Sequence, residues 1–211
     1  DSDLSGSMAM SGLVMSKCLK DGAKFASAAR YGYPTSYLVT EEGATGHPLS
    51  HYKQPNVVHI TIRHFIRSLL LPDLAHMFDT NVGFKCWRVK DIPELLKPMF
   101  IFGPAFDMQL LLGALRFYEE QDSKLTADDI IGVAPILFVE DFAESNFTSN
   151  STDPDASAKG FVRMAHEMCS MHKEFFASLK RETTEEQQQW MEFIATLDLE
   201  KYKAMVVGIE K

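Results

Sequence analysis

The stretch IFGPAFDMQLLLGALRFYEE, residues 101–120, decides the fold class. Residues 105–120 read as a helix that is apolar on nearly all sides, which places it at the centre of the structure. Asp107 falls in its first turn, after Gly103-Pro104, where the helix dipole and free N–H groups favour negative charge. A carboxylate buried at that point needs a partner, because desolvating it alone is expensive. The candidate partner is Arg63, at the border of the apolar face of a second helix.

That second helix is read over 57–71, capped by Asn56. Val58, Ile62, Phe65, Ile66 and Leu69 fall on one face, with His59, Arg63 and Arg67 along its flank. Its β-branched opening, VVHITI, is also compatible with a strand. Pro72 ends or bends the segment. Upstream, residues 8–30 are rich in Ala, Met and Leu and read as a helix weakened by Gly12 and Gly22. FKCWRV (84–89) reads as a strand or extended loop, and Asp91 with Pro93 as a helix start. Thr126 with Asp128 and Asp129 marks another start, and Pro135 splits that segment before ILFVEDFAE resumes. Residues 155–181 form a long helix, Thr183 or Thr184 caps WMEFIATL, and LEKYKAMVVGI closes the chain. Residues 31–56 and 146–159 are loop-like. The expected class is all-α, a single helical domain over 1–211 with long loops and a minor β element near 84–89.

The chain has 211 residues, 45% hydrophobic and 24% charged, enough apolar material for a real core. Apolar runs are broken by charge or proline before they could span a bilayer. Residues 1–7 are polar and acidic, unlike a secretory signal. Cys18, Cys86 and Cys169 are odd in number and widely spaced, which favours a reducing compartment over a disulfide framework. Asn146 and Asn150 sit in N-glycosylation patterns that mean nothing in a cytosolic protein. Residues 1–118 carry 12 Lys+Arg against 10 Asp+Glu, a net of +2, whereas 119–211 carry 9 against 19, a net of −10. A mildly basic first half permits an anionic partner there without demanding one, since solvated charge is the usual explanation.

Motifs for catalysis are weak. His166 and His172 are six apart, about 240° around a helix, so they diverge from a shared ion and read as core residues beside Met164, Met168, Met171 and Phe175. His59 and His64 also diverge, and His47 and His51 lie in a loop. No Gly-rich phosphate loop with its Lys-Ser/Thr is present. Cys18 has Lys17, Lys20 and Lys24 nearby, which could lower its pKa, against the commoner reading of a buried helix cysteine. The Met-rich helices admit either an apolar pocket or ordinary core filling. No cofactor or metal is expected, and the chain reads as non-enzymatic.

Thr61-Ile-Arg63-His-Phe65, a Trp-containing stretch, and Ala105-Phe106-Asp107 together resemble the Arg … Phe-Asp pattern of flexible filamentous plant virus coat proteins. Cys18-Leu-Lys-Asp21-Gly22 … Ser27 is similar to a Cys-x-Asp-x-Gly-Ser segment upstream in that family, with Ala23 in place of the Ser. The resemblance covers residues 13–110. Met108-Gln109 follow the Asp where the family has aromatic residues, and the acidic half beyond 119 has no counterpart. The resemblance implies a buried Arg63–Asp107 ion pair beside an RNA groove. It also implies a homo-oligomeric, helically assembled coat or capsid subunit, with a location in the virion or the host cytoplasm. Arg63, Arg67, Lys85, Arg88 and Lys90 would meet phosphates, with Trp87 as a stacking face for single-stranded RNA. The alternative is a helical binding or scaffold module for an apolar ligand or a protein partner.

Overall fold

A computed structural model describes residues 10–29, 36–40, 55–77, 79–141 and 155–209. It is mainly helical with a small β component. The chain divides into two compact units built from interleaved segments. The first comprises Asp1–Thr40, His76–Phe102 and Phe106–Asp141; the second comprises Glu41–Ala75, Gly103–Ala105 and Phe142–Lys211. These units do not coincide with the basic and acidic halves, 1–118 and 119–211, because charge balance carries no packing information.

In the first unit, α1 (Ser11–Leu19) is followed by Gly22 at φ 83°, a turn that favours glycine. The chain then enters strand β1 (Phe25–Ala29). The expected helix over 8–30 therefore stops near its middle. FASAA has helical composition, but it lies between two strands with all five residues buried, and tertiary pairing overrides propensity. β1 pairs antiparallel with β3 (Lys85–Trp87), with Phe25 opposite Trp87 and Ser27 opposite Lys85. It pairs parallel with β4 (Ile131–Pro135), Phe25 opposite Ile131. A second parallel pair joins β2 (Ser36–Thr40) to β5 (Leu137–Asp141). Where a resumed helix was expected over ILFVEDFAE, the structure has β5. Ile130, Ile131 and Val133 are β-branched, and Pro135 removes the donor a continuing helix would need.

The two faces of the β3-β1-β4 sheet follow strand alternation. Ala26, Ala28, Phe84 and Cys86 pack with Val14 and Cys18 of α1, together with Val82, Ala134 and Ile136. Gly132 admits α1 closely; a Cβ there would lie 2.9 Å from that of Lys17. Phe25, Ser27, Lys85 and Trp87 take the other face. Lys85 there meets Asp107 of α4 (Phe106–Gln121), the central helix anticipated from sequence. Two short helices, α3 (Ile92–Leu96) and α5 (Ala127–Ile130), complete the unit. Thr126 and Asp129 form a capping box at α5, as the local sequence suggests.

Among the described residues of the second unit are four α-helices: α2 (Pro55–Leu70), α6 (Ala156–Leu179), α7 (Glu185–Ala195) and α8 (Leu199–Ile209). The buried face of α2 includes Ile62, Ile66 and Leu70 but also Arg63 and Arg67, while Phe65 is exposed. The face is thus rotated from the purely apolar one anticipated. Thr184 caps α7 in a box with Gln187, whose side chain also donates to the Leu69 carbonyl at 2.8 Å. Arg181 grips Asp73 with two contacts of 2.7 Å, fixing the end of α6 to the turn after α2.

Candidate functional site

Asp107 is buried, and its Oδ1 accepts from Lys85 Nζ at 2.7 Å. Lys85 also donates to the Val82 carbonyl, and its side chain is only 3% exposed. Lys85 therefore does not face solvent as a phosphate ligand should. Strand alternation carries the missed signal: Lys85 shares the face of Trp87, which stacks on buried Phe25 at 5.4 Å between ring centroids. One face of the indole is thereby occupied.

Arg63 belongs to the second unit and Asp107 to the first. Arg63 is buried, and with Phe161, Met164, Met168 and Tyr202 it lines a space of about 10 Å³. Arg67 is 0% exposed, so it too is withdrawn from any solvent groove. Its guanidinium approaches His64 Nδ1 at 2.6 Å. A guanidinium can only donate, so that nitrogen accepts and His64 is neutral. Burial holds the His64 pKa below its usual range, and the Arg67 and Arg63 charges push it further down.

Of the cations anticipated for RNA, Arg88 and Lys90 are the two that face solvent. They flank Val89, itself 80% exposed, in the turn directly after β3. The same segment continues through exposed Leu96, Lys97, Phe100 and Phe102. Gln109 of α4 holds this segment in place. Its Oε1 accepts from the backbone N–H groups of Phe100 at 3.0 Å and Ile101 at 2.7 Å, and its Nε2 donates to the Pro98 carbonyl at 3.0 Å. Apolar periodicity alone does not single out Gln109, although a glutamine among leucines in a central helix is a recognisable sign of a buried polar contact.

The histidines of α6 serve packing. His166 Nε2 lies 3.0 Å from the Leu197 carbonyl. His172 is fully buried, with Nδ1 2.7 Å from the Leu70 carbonyl and Nε2 3.0 Å from Thr183 Oγ1. A carbonyl only accepts, so Nδ1 bears the proton and Nε2 accepts from the hydroxyl. Burial holds the His172 pKa below its ordinary value, and the Lys173 charge adds to this. The unfolded chain therefore takes up a proton first as the pH falls. Stability is expected to be intact above about pH 6.5 and to decline as the pH drops through that value towards the lower folded pKa. The slope from His172 reaches at most about 1.4 kcal/mol per pH unit. Urea midpoints measured at a series of pH values check this, and a wild-type profile flat between about pH 7 and about pH 5 contradicts it.

Burial, together with the neighbouring Cys86 thiol, pushes the Cys18 thiol up to about 11. The lysines around Cys18 do not make it an acidic thiol. Among the described residues, no three His, Cys, Asp or Glu side chains converge as a metal site. A cleft of about 420 Å³ opens at the starts of β1 and β4, lined by Lys17, Asp21, Lys24, His76, Asp128 and Asp129 with apolar neighbours. No described helix is long and apolar enough to cross a membrane. His47, His51, Asn146 and Asn150 lie outside the described residues. No protein-family model, curated protein or solved structure matches the chain.

Proposed function

We propose that this chain is a non-enzymatic assembly subunit of coat or nucleocapsid type, which polymerises and binds single-stranded RNA in a virion or the host cytoplasm. The observation that carries the reading is the exposed run Arg88-Val89-Lys90, followed in sequence by the exposed apolar side chains of Leu96, Phe100 and Phe102. Cations displayed on a turn suit phosphates, and uncovered apolar groups suit contacts between subunits. The phosphate-binding set is Arg88 and Lys90, since Arg67 and Lys85 are buried.

RNA binding tests the reading. Arg88→Ala/Lys90→Ala is expected to weaken binding to single-stranded RNA about equally for all sequences. It should also flatten the slope of log affinity against log salt by about 1.4, or about 0.7 per lost phosphate contact. Wild-type protein that neither binds RNA nor protects it from nuclease overturns the RNA-binding part.

The alternative, a module for an apolar ligand, has less support. The Met-lined space beside Arg63 is about 10 Å³, scarcely room for a water. The larger cleft is bordered by six ionisable side chains.

A further inference from the structure

Cys18 and Cys86 meet inside the first unit. Cys18 lies on α1 one turn after Val14, and both side chains pack against the β3-β1-β4 sheet. Cys86 stands opposite Ala26 in the antiparallel pair, on the sheet face that α1 covers. Cys18 Sγ donates to the Cys86 carbonyl at 3.8 Å, a contact that spans 68 positions of chain. The two thiols are also within hydrogen-bonding reach of each other. Both are partly exposed, so a small solute reaches them, whereas Cys169 is buried and belongs to the second unit.

We propose that Cys18 and Cys86 form an intramolecular disulfide, stapling α1 to β3, when the folded chain meets a small dialkyl disulfide of the glutathione class. One thiolate of the pair attacks a sulfur of the reagent, the S–S bond of the reagent breaks, and one reagent thiolate leaves. The other protein thiolate then attacks the protein sulfur of this mixed disulfide, and the second reagent thiolate leaves. The two protein sulfurs lose two electrons in total and the two reagent sulfurs gain them. The two protons of the protein thiols end on the released thiols. Where reductants keep such reagents as thiols, the pair rests open. The staple acts within one unit and stands independently of RNA binding and assembly.

Burial and the Cys86 thiol keep Cys18 protonated at neutral pH, where exchange is therefore slow. The test accordingly treats the native chain with excess oxidised glutathione at mildly alkaline pH. Remaining thiols are blocked with N-ethylmaleimide in denaturant, and a non-reducing tryptic digest is read by mass spectrometry. Cleavage after Lys17, Lys20, Lys85 and Arg88 isolates the peptides 18–20 and 86–88. They are expected as one species, lighter than their sum by two hydrogen atoms, with Cys169 alkylated. Closing so long a loop should raise the midpoint of thermal unfolding by about 4–16 °C. Cys18→Ala given the same treatment should show no such rise.

Cys18 and Cys86 recovered as separate alkylated peptides at equilibrium with excess reagent overturn the proposal. So does glutathione retained on one of them while the other stays a thiol. A bond from either cysteine to Cys169 or to a second chain does the same. A linked pair whose unfolding midpoint is unchanged or lower also overturns it, because the bond would then form only by distorting the seat of α1 on the sheet.

Discussion

Lys85→Met is expected to lower the free energy of unfolding by about 3–5 kcal/mol, because it takes the ammonium from a buried carboxylate. Both side chains are well shielded, 3% exposed for Lys85 and 13% for Asp107, and the contact is 2.7 Å. Methionine keeps most of the aliphatic stem, so packing on the sheet changes little and the loss reports the charge. A domain of ordinary stability, about 5–15 kcal/mol, would be left near the edge of folding. The double variant Lys85→Met/Asp107→Leu should regain much of that loss, because two apolar groups of similar shape carry no desolvation penalty. Urea denaturation of the single and double variants checks both statements. A loss under about 1 kcal/mol for Lys85→Met would show that the pair behaves like an exposed salt bridge.

Gln109→Met is expected to be nearly as damaging, by about 3 kcal/mol, for a different reason. The glutamine makes hydrogen bonds to the backbone of Pro98, Phe100 and Ile101, and Ile101 is buried. A buried N–H or carbonyl left without a partner costs about 1–3 kcal/mol. Amide hydrogen exchange gives a local readout, since the Phe100 and Ile101 protons should exchange faster in the variant than neighbouring amides of α4. Unchanged protection at those two amides would contradict the assignment.

The helices were legible where apolar runs are long, as in α4 and α6, and where side-chain caps announce an end, as at Thr126 and Thr184; α2 was read as a helix with its opening also compatible with a strand. Among the strands, β3 was anticipated within FKCWRV, but β1, β2, β4 and β5 were not. β1 is made of Ala, Ser and Phe and becomes a strand through its neighbours β3 and β4, which are distant in sequence. β5 was hidden because a short apolar run has no period that separates strand from buried helix. The site divided in the same way. Arg88 and Lys90 are exposed as a basic run after a strand should be. Lys85 lies only a few positions away and points into the protein, because strand alternation sets its direction. Composition counts both kinds of lysine alike, and only the pleat distinguishes them. The position of α4 was readable from its leucines, but the partner of its Asp107 required knowledge of which strand lies alongside.

The interleaving of the two units bears on synthesis. β1 must await β4 before its parallel edge is satisfied, with Phe25 meeting Ile131, and the bond from His172 to the Leu70 carbonyl closes over 102 positions. A nascent chain that has emerged as far as Leu125 therefore has one side of β1 open and α2 without α6. Such a chain is slow to complete and vulnerable to joining its neighbours on the same polysome. Holdase chaperones that shield apolar segments would find their substrate in that interval, before the last helices leave the ribosome.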